Sequence, residues 1–135
     1  MQQGSMAGKF LRATQTGISR ILASPLLRAQ QMAAAVRKEL DSPPVVTSEY
    51  LVSDSAPRQI LNQLRSLDAP TIILVGHEPH LSKTISLLIS GEEGQKVEMR
   101  KGCIACVEIP LPLEPGEGIL KWLITFEQMS LVNEA

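Results

Sequence analysis

Apolar and polar positions along the chain follow two periods in turn, and the changeovers mark out helices and strands. Met6, Phe10 and Ala13 are spaced by four and three, which predicts a short amphipathic helix from Gly4 to about Ala13. Thr14-Gln15-Thr16-Gly17 reads as a turn and Arg20-Ile21-Leu22-Ala23 as a short strand. Ser24-Pro25 then reads as an N-cap followed by proline at the first helical position. From Pro25 to about Leu40, Ala29, Met32, Ala33, Val36 and Leu40 form one stripe, while Arg28, Gln31, Lys38 and Glu39 fall largely elsewhere. That helix should stop at Asp41-Ser42-Pro43-Pro44.

Val45-Val46-Thr47 begins an extended segment reaching about Leu51, followed by the polar loop Val52 to Ala56. Ile60, Leu61, Leu64 and Leu67 give the next helix, Pro57 to Leu67, closed by Asp68-Ala69-Pro70. Thr71-Ile72-Ile73-Leu74-Val75 then predicts a strand buried on both faces, and it ends abruptly in Gly76-His77-Glu78-Pro79-His80. Gly76 permits a sharp turn, and Leu81, Ile85 and Leu88 mark a helix from about Pro79 to Ser90 with Gly91 as its C-terminal cap. Glu92 to Lys101 is a charged loop. Strands Cys103 to Ile109 and Ile119 to Phe126, joined by the Pro/Gly-rich stretch Pro110 to Gly118, suit an antiparallel pair. In the second of them, Leu120, Trp122, Ile124 and Phe126 should form one core face.

Helix, strand, helix, strand, helix, strand, helix and hairpin in that order predict an α/β fold: three layers, a mostly parallel mixed sheet covered by helices, and a C-terminal antiparallel hairpin. Such a chain would usually open with a strand, because the first helix needs a sheet to cover. At 135 residues, one domain spanning residues 1–135 is expected. Aromatic residues make up only 3% of the chain, so aliphatic side chains must fill the core.

The net charge of −1, with no run of Lys/Arg longer than two, offers no long-range attraction to nucleic acid or an anionic membrane. No apolar run approaches the roughly 20 residues that span a bilayer, and the N-terminus lacks a signal-peptide pattern, so a cytoplasmic location is expected. Cys103 and Cys106 lie three apart on a predicted strand, pointing to opposite faces, a poor geometry for a disulfide or a shared metal. They read as buried free thiols, and no metal or cofactor is expected.

Two residues carry the candidate chemistry. Arg28 lies in the first turn of its helix, where its guanidinium and the free N–H groups could share one anion. His77 follows a strand that a parallel sheet would end on the same side, the side where ligands bind in open sheets. Ser24-Pro25-Leu26-Leu27-Arg28-Ala29-Gln30-Gln31 together with Val75-Gly76-His77-Glu78-Pro79 resembles two motifs of the histidine phosphatase superfamily, closest to its short SixA-type phosphohistidine phosphatases. The resemblance runs from about Gly4 to Phe126, including Lys101-Gly102-Cys103 and the Trp122 strand.

The resemblance implies a phosphoglycerate-mutase-like fold and a pocket in which one histidine attacks phosphorus and is transiently phosphorylated, splitting the transfer into two steps. By position, Arg28 matches the family's phosphate-binding arginine and His77 its second histidine, which binds the transferring oxygens. Glu49 and Asp54 are candidates for the leaving-group acid that many ester-hydrolysing relatives carry, an acid that a phosphohistidine substrate needs less. His80 does not match the family's nucleophile and reads as a surface helix residue.

The departures are larger than the matches. The family's nucleophile stands in an Arg-His-Gly motif ending the first strand, and this sequence has no Arg-His-Gly and no histidine before His77. The chain therefore reads as an N-terminally incomplete, truncated domain, inactive for want of its nucleophile. The absent strand would lie inside the sheet, so two neighbours would be left unpaired and self-association through exposed edges is expected. Met32 stands where the family often has threonine. Two functional classes are carried forward: a phosphatase acting on phosphate or a protein-borne phosphohistidine, and a non-catalytic phosphate-binding or protein-interaction module.

Overall fold

The computed structural model describes residues 2–15, 17–41, 43–67 and 69–134. Thr16, Ser42 and Asp68, which the sequence reading puts at element ends, lie outside the described residues. The elements are α1 (Gln2–Thr14), β1 (Arg20–Ala23), α2 (Leu27–Leu40), β2 (Val45–Thr47), a 3₁₀ turn (Glu49–Leu51), α3 (Pro57–Arg65), β3 (Ile72–Val75), α4 (His80–Ser90), β4 (Ile104–Glu108), β5 (Ile119–Ile124) and α5 (Phe126–Glu134). β2, β1 and β3 form a parallel sheet in that order, and β4 and β5 form an antiparallel pair.

Period-two patterning sorts the sheet's side chains into two cores. On one face Ile21, Ala23, Ile73 and Val75 pack with Ala33 of α2, and Ala7 and Leu11 of α1 pack with Val36 and Ile73. On the other, Leu22, Ile72 and Leu74 pack with Ile60 and Leu61 of α3 and Leu87 and Leu88 of α4. This is the expected three-layer arrangement, with aliphatic side chains each contributing about 1.5–3 kcal/mol on full burial. α1 and α2 approach closely because two glycines face α2: a Cβ at Gly4 would lie 2.6 Å from Ala35 Cβ, and one at Gly8 2.6 Å from Glu39 Cβ.

The β3 strand departs from expectation. All four of its residues are half-buried, whereas Ile21, Leu22 and Ala23 of β1 are buried. The reason is pairing: β1 is flanked on both sides, while among the described residues β3 pairs with β1 alone and β4 with β5 alone. Ile73 and Ile104 pack on one shared cluster, and Leu74 and Val107 on another. β3 and β4 thus contribute to the same two apolar clusters while each keeps an unpaired edge among the described residues.

Several element boundaries also differ. α2 begins at Leu27, not Pro25, because Leu26 is extended (φ −67°, ψ 146°) and the Ser24 hydroxyl accepts the Leu26 N–H at 3.3 Å, making a local turn instead of a cap. The segment after Thr47 coils into the 3₁₀ turn, with Ser48 Oγ accepting from Tyr50 N, and this tucks Leu51 into the core. The last strand stops at Ile124 because Thr125 and Gln128 exchange side-chain and backbone hydrogen bonds (2.9 and 3.1 Å), a capping box that starts α5. A bulge opposite Cys106/Val107 breaks the alternation of β5, pairing Trp122 with Cys106 and Leu120 with Val107, so Leu120 leaves the face of Trp122 and is exposed. Cys103 precedes β4, and both cysteines are free but half-buried, not buried.

Candidate functional site

The carboxyl ends of β1, β2 and β3 are tied together by short polar links. In the parallel register Ala23 stands between Thr47 and Val75. Beyond it, Ser24 is fully buried, its N–H donates to Val75 O at 2.9 Å, and its carbonyl accepts from Gln30 Nε2 at 2.9 Å. The same Gln30 amide reaches Thr47 Oγ1 at 3.1 Å, and Ser48 N–H donates to Ala23 O at 2.8 Å. Gln30, one turn into α2, thereby clamps the helix start to two strands.

His77 sits at this edge. Gly76 precedes it at a tight place, where a Cβ would lie 3.3 Å from Leu81 Cδ2 and 3.5 Å from Leu51 O. The half-buried His77 ring brings Nε2 to 2.8 Å from Ser24 Oγ. Ser24 is a candidate that the sequence pattern did not single out; the Ser-Pro step reads as a helix cap, whereas the hydroxyl also contacts His77.

Arg28, the second residue of α2, is exposed and makes no hydrogen bond or ion pair among the described residues. α2 also starts without a side-chain cap. The first turn of α2, which carries the uncommitted Arg28 and has no side-chain cap, therefore starts at the same sheet edge as His77. α4 differs: the Glu78 carboxylate accepts from Ser82 N at 3.1 Å and from the Ser82 hydroxyl, so part of that helix start already holds a negative charge.

The remaining candidates separate. Glu49 and Asp54 are exposed and have no polar partner among the described residues. Glu49 opens the turn whose Leu51 carbonyl lies beside Gly76, while Asp54 lies on the following loop with nothing tying it to this edge. His80 contradicts its reading as a surface residue: it is 1% exposed, and neither ring nitrogen has a hydrogen-bond partner among the described residues. Pro79 is the N-cap rather than the first helical residue, so His80 opens α4 facing inward. Burial lowers its pKa, helped by His77 and Lys83 and opposed by Glu93. Burial pushes the Cys106 thiol up. Among the described residues no group of His, Cys, Asp and Glu is placed to hold a metal ion, and no helix is long and apolar enough to cross a membrane.

No protein-family model and no curated protein matches the chain. Solved structures do. The structure of the protein histidine phosphatase SixA complexed with tungstate superimposes with a TM-score of 0.79 at 21% identity, covering 93% of this chain and 80% of that one. The fold is that of the SixA phosphohistidine phosphatases. A protein assigned as a SixA from Nakamurella multipartitia gives a TM-score of 0.74 at 18% identity, over 91% of this chain and 79% of that one. Another from Agrobacterium tumefaciens gives 0.69 at 14%, over 92% and 78%. The SixA-type fold implied by the two sequence motifs therefore stands.

Proposed function

We propose that this chain is a SixA-like phosphohistidine phosphatase domain that holds a phosphoryl group but does not, by itself, turn it over. The observation that carries the reading is the placement of Arg28 and His77 on one carboxyl edge of adjacent parallel strands, in a fold shared with a SixA complexed with tungstate, an oxyanion. Arg28 grips phosphate oxygens in a fork, the first N–H groups of α2 add donors, and His77 binds the transferring oxygens, where hydrogen-bond donors stabilise charge as it develops. The covalent route needs a histidine nucleophile. The chain has two histidines, and the second, His80, is sealed from a phosphoryl donor. Glu49, on the turn beside Gly76, is better placed than Asp54 to serve as a proton donor. The substrate is phosphate carried on a protein histidine in the cytoplasm, and the reading calls on no metal or cofactor.

The uncommitted Arg28 also favours a second reading, a non-catalytic phosphate-binding or interaction module. The two are tested together. Calorimetry with inorganic phosphate should show binding by the wild type that Arg28→Ala weakens by about 1.5–3 kcal/mol, the range for a hydrogen bond to a charged group. A phosphorylated-histidine protein should show no multiple turnover; turnover dependent on His77 would establish a catalytic route in this chain and overturn the first reading. Absence of phosphate binding by the folded wild type would overturn both. The unpaired edges of β3 and β4 among the described residues support self-association by strand pairing, for which sedimentation should show concentration-dependent oligomers, and a monomer at all concentrations would count against it.

A further inference from the structure

We propose that Ser24 is a positioning residue for His77: it donates its hydroxyl proton to Nε2 and thereby fixes the neutral imidazole with its own proton on Nδ1. The inference rests on the phosphate-site reading above. A serine hydroxyl has one proton to donate and two lone pairs to offer. Ser24 Oγ accepts the Leu26 N–H at 3.3 Å, and its other polar partner among the described residues is His77 Nε2 at 2.8 Å. Because the side chain is 0% exposed, water cannot take the hydroxyl proton. A buried O–H without an acceptor is strongly disfavoured, and the imidazole nitrogen is the acceptor within reach. Nε2 is then the unprotonated nitrogen, which in a neutral ring leaves the proton on Nδ1.

The backbone fixes the donor in turn. Ser24 N–H is held by Val75 O and Ser24 O by Gln30 Nε2, so the hydroxyl is anchored to the strand that delivers His77 and to the helix that carries Arg28. With Nε2 occupied, Nδ1–H is the one hydrogen-bond donor the neutral ring keeps for a phosphate oxygen. Ser24 therefore sets both ring orientation and which nitrogen faces a ligand as donor, without touching the ligand itself.

The test is ¹⁵N NMR of the full chain labelled at histidine, at an alkaline pH of about 8.5, alongside calorimetry with inorganic phosphate. Wild-type His77 should show the Nδ1-protonated tautomer. Ser24→Ala should give a mixture of tautomers and about tenfold weaker phosphate binding, and Ser24→Thr, which keeps the hydroxyl, should restore both. A wild-type ring protonated on Nε2 would overturn the proposal even if Ser24→Ala failed to fold. So would an unchanged tautomer in folded Ser24→Ala. Wild-type protein that shows the Nδ1 tautomer but binds no phosphate would instead overturn the phosphate-site reading, and with it the positioning role.

Discussion

Replacing His80 by leucine should stabilise the protein, the opposite of what a core substitution ordinarily does. The residue is 1% exposed and both ring nitrogens lack hydrogen-bond partners among the described residues. A buried polar group left unsatisfied costs about 1–3 kcal/mol, while a swap of roughly conserved volume costs under about 1.5 kcal/mol, so a net gain of about 1 kcal/mol is expected at neutral pH. For a chain of this length that raises Tm by a few degrees. The pH dependence supplies a second readout. Desolvation, with His77 and Lys83 adding to it and Glu93 opposing it, holds the folded-state pKa below 6.5. As pH falls, the unfolded chain takes up its proton first; the wild type is at full stability above 6.5 and loses stability as pH drops from there toward the folded-state value. His80→Leu lacks that loss, so its advantage should widen in acid. Urea denaturation at pH about 8 and about 5.5 reads both effects. A variant less stable than wild type by several kcal/mol, or one whose advantage does not grow at the lower pH, would refute the reasoning.

Two further substitutions test the frame that holds the site. Gly8→Ala should destabilise by about 1–3 kcal/mol in thermal or urea unfolding, because its Cβ would lie 2.6 Å from Glu39 Cβ and the overpacking exceeds alanine's better helix propensity. Thr125→Ala removes one half of the capping box that starts α5 and should cost about 0.5–2 kcal/mol, with a matching loss of helical circular dichroism, whereas Thr125→Ser should be close to neutral.

The elements most legible in the sequence were those whose apolar period carried on unbroken. Ile60, Leu61 and Leu64 announced α3, although it ends at Arg65 and not at the expected Leu67, and Leu81, Ile85 and Leu88 announced α4, because a helix burying one face needs that spacing. Where local hydrogen bonding decided the outcome, apolar pattern misled. Phe126 continued the alternation of Leu120, Trp122 and Ile124, yet the Thr125–Gln128 box turned the chain into a helix. Those two residues were a readable signal. Strand burial failed for a different reason: Ile72 to Val75 have the composition of a fully buried strand, but burial depends on neighbours in space, and among the described residues β3 pairs with a strand on one side only. The edge that Arg28 and His77 share followed from parallel connectivity. The Ser24–His77 contact did not, because its partners are 53 residues apart and Ser-Pro has a commoner local meaning. His80 was misplaced because polarity in the first turn of a helix ordinarily means solvent.

The central claim, a phosphate site shared by the ends of β1 and β3, is met most directly by a crystal structure of the chain with tungstate. The anion should lie at the carboxyl edge of the sheet, contacting the Arg28 guanidinium, the first N–H groups of α2 and the His77 ring, and should be lost in Arg28→Ala. An anion bound only elsewhere, or none bound to the folded wild type, would contradict it.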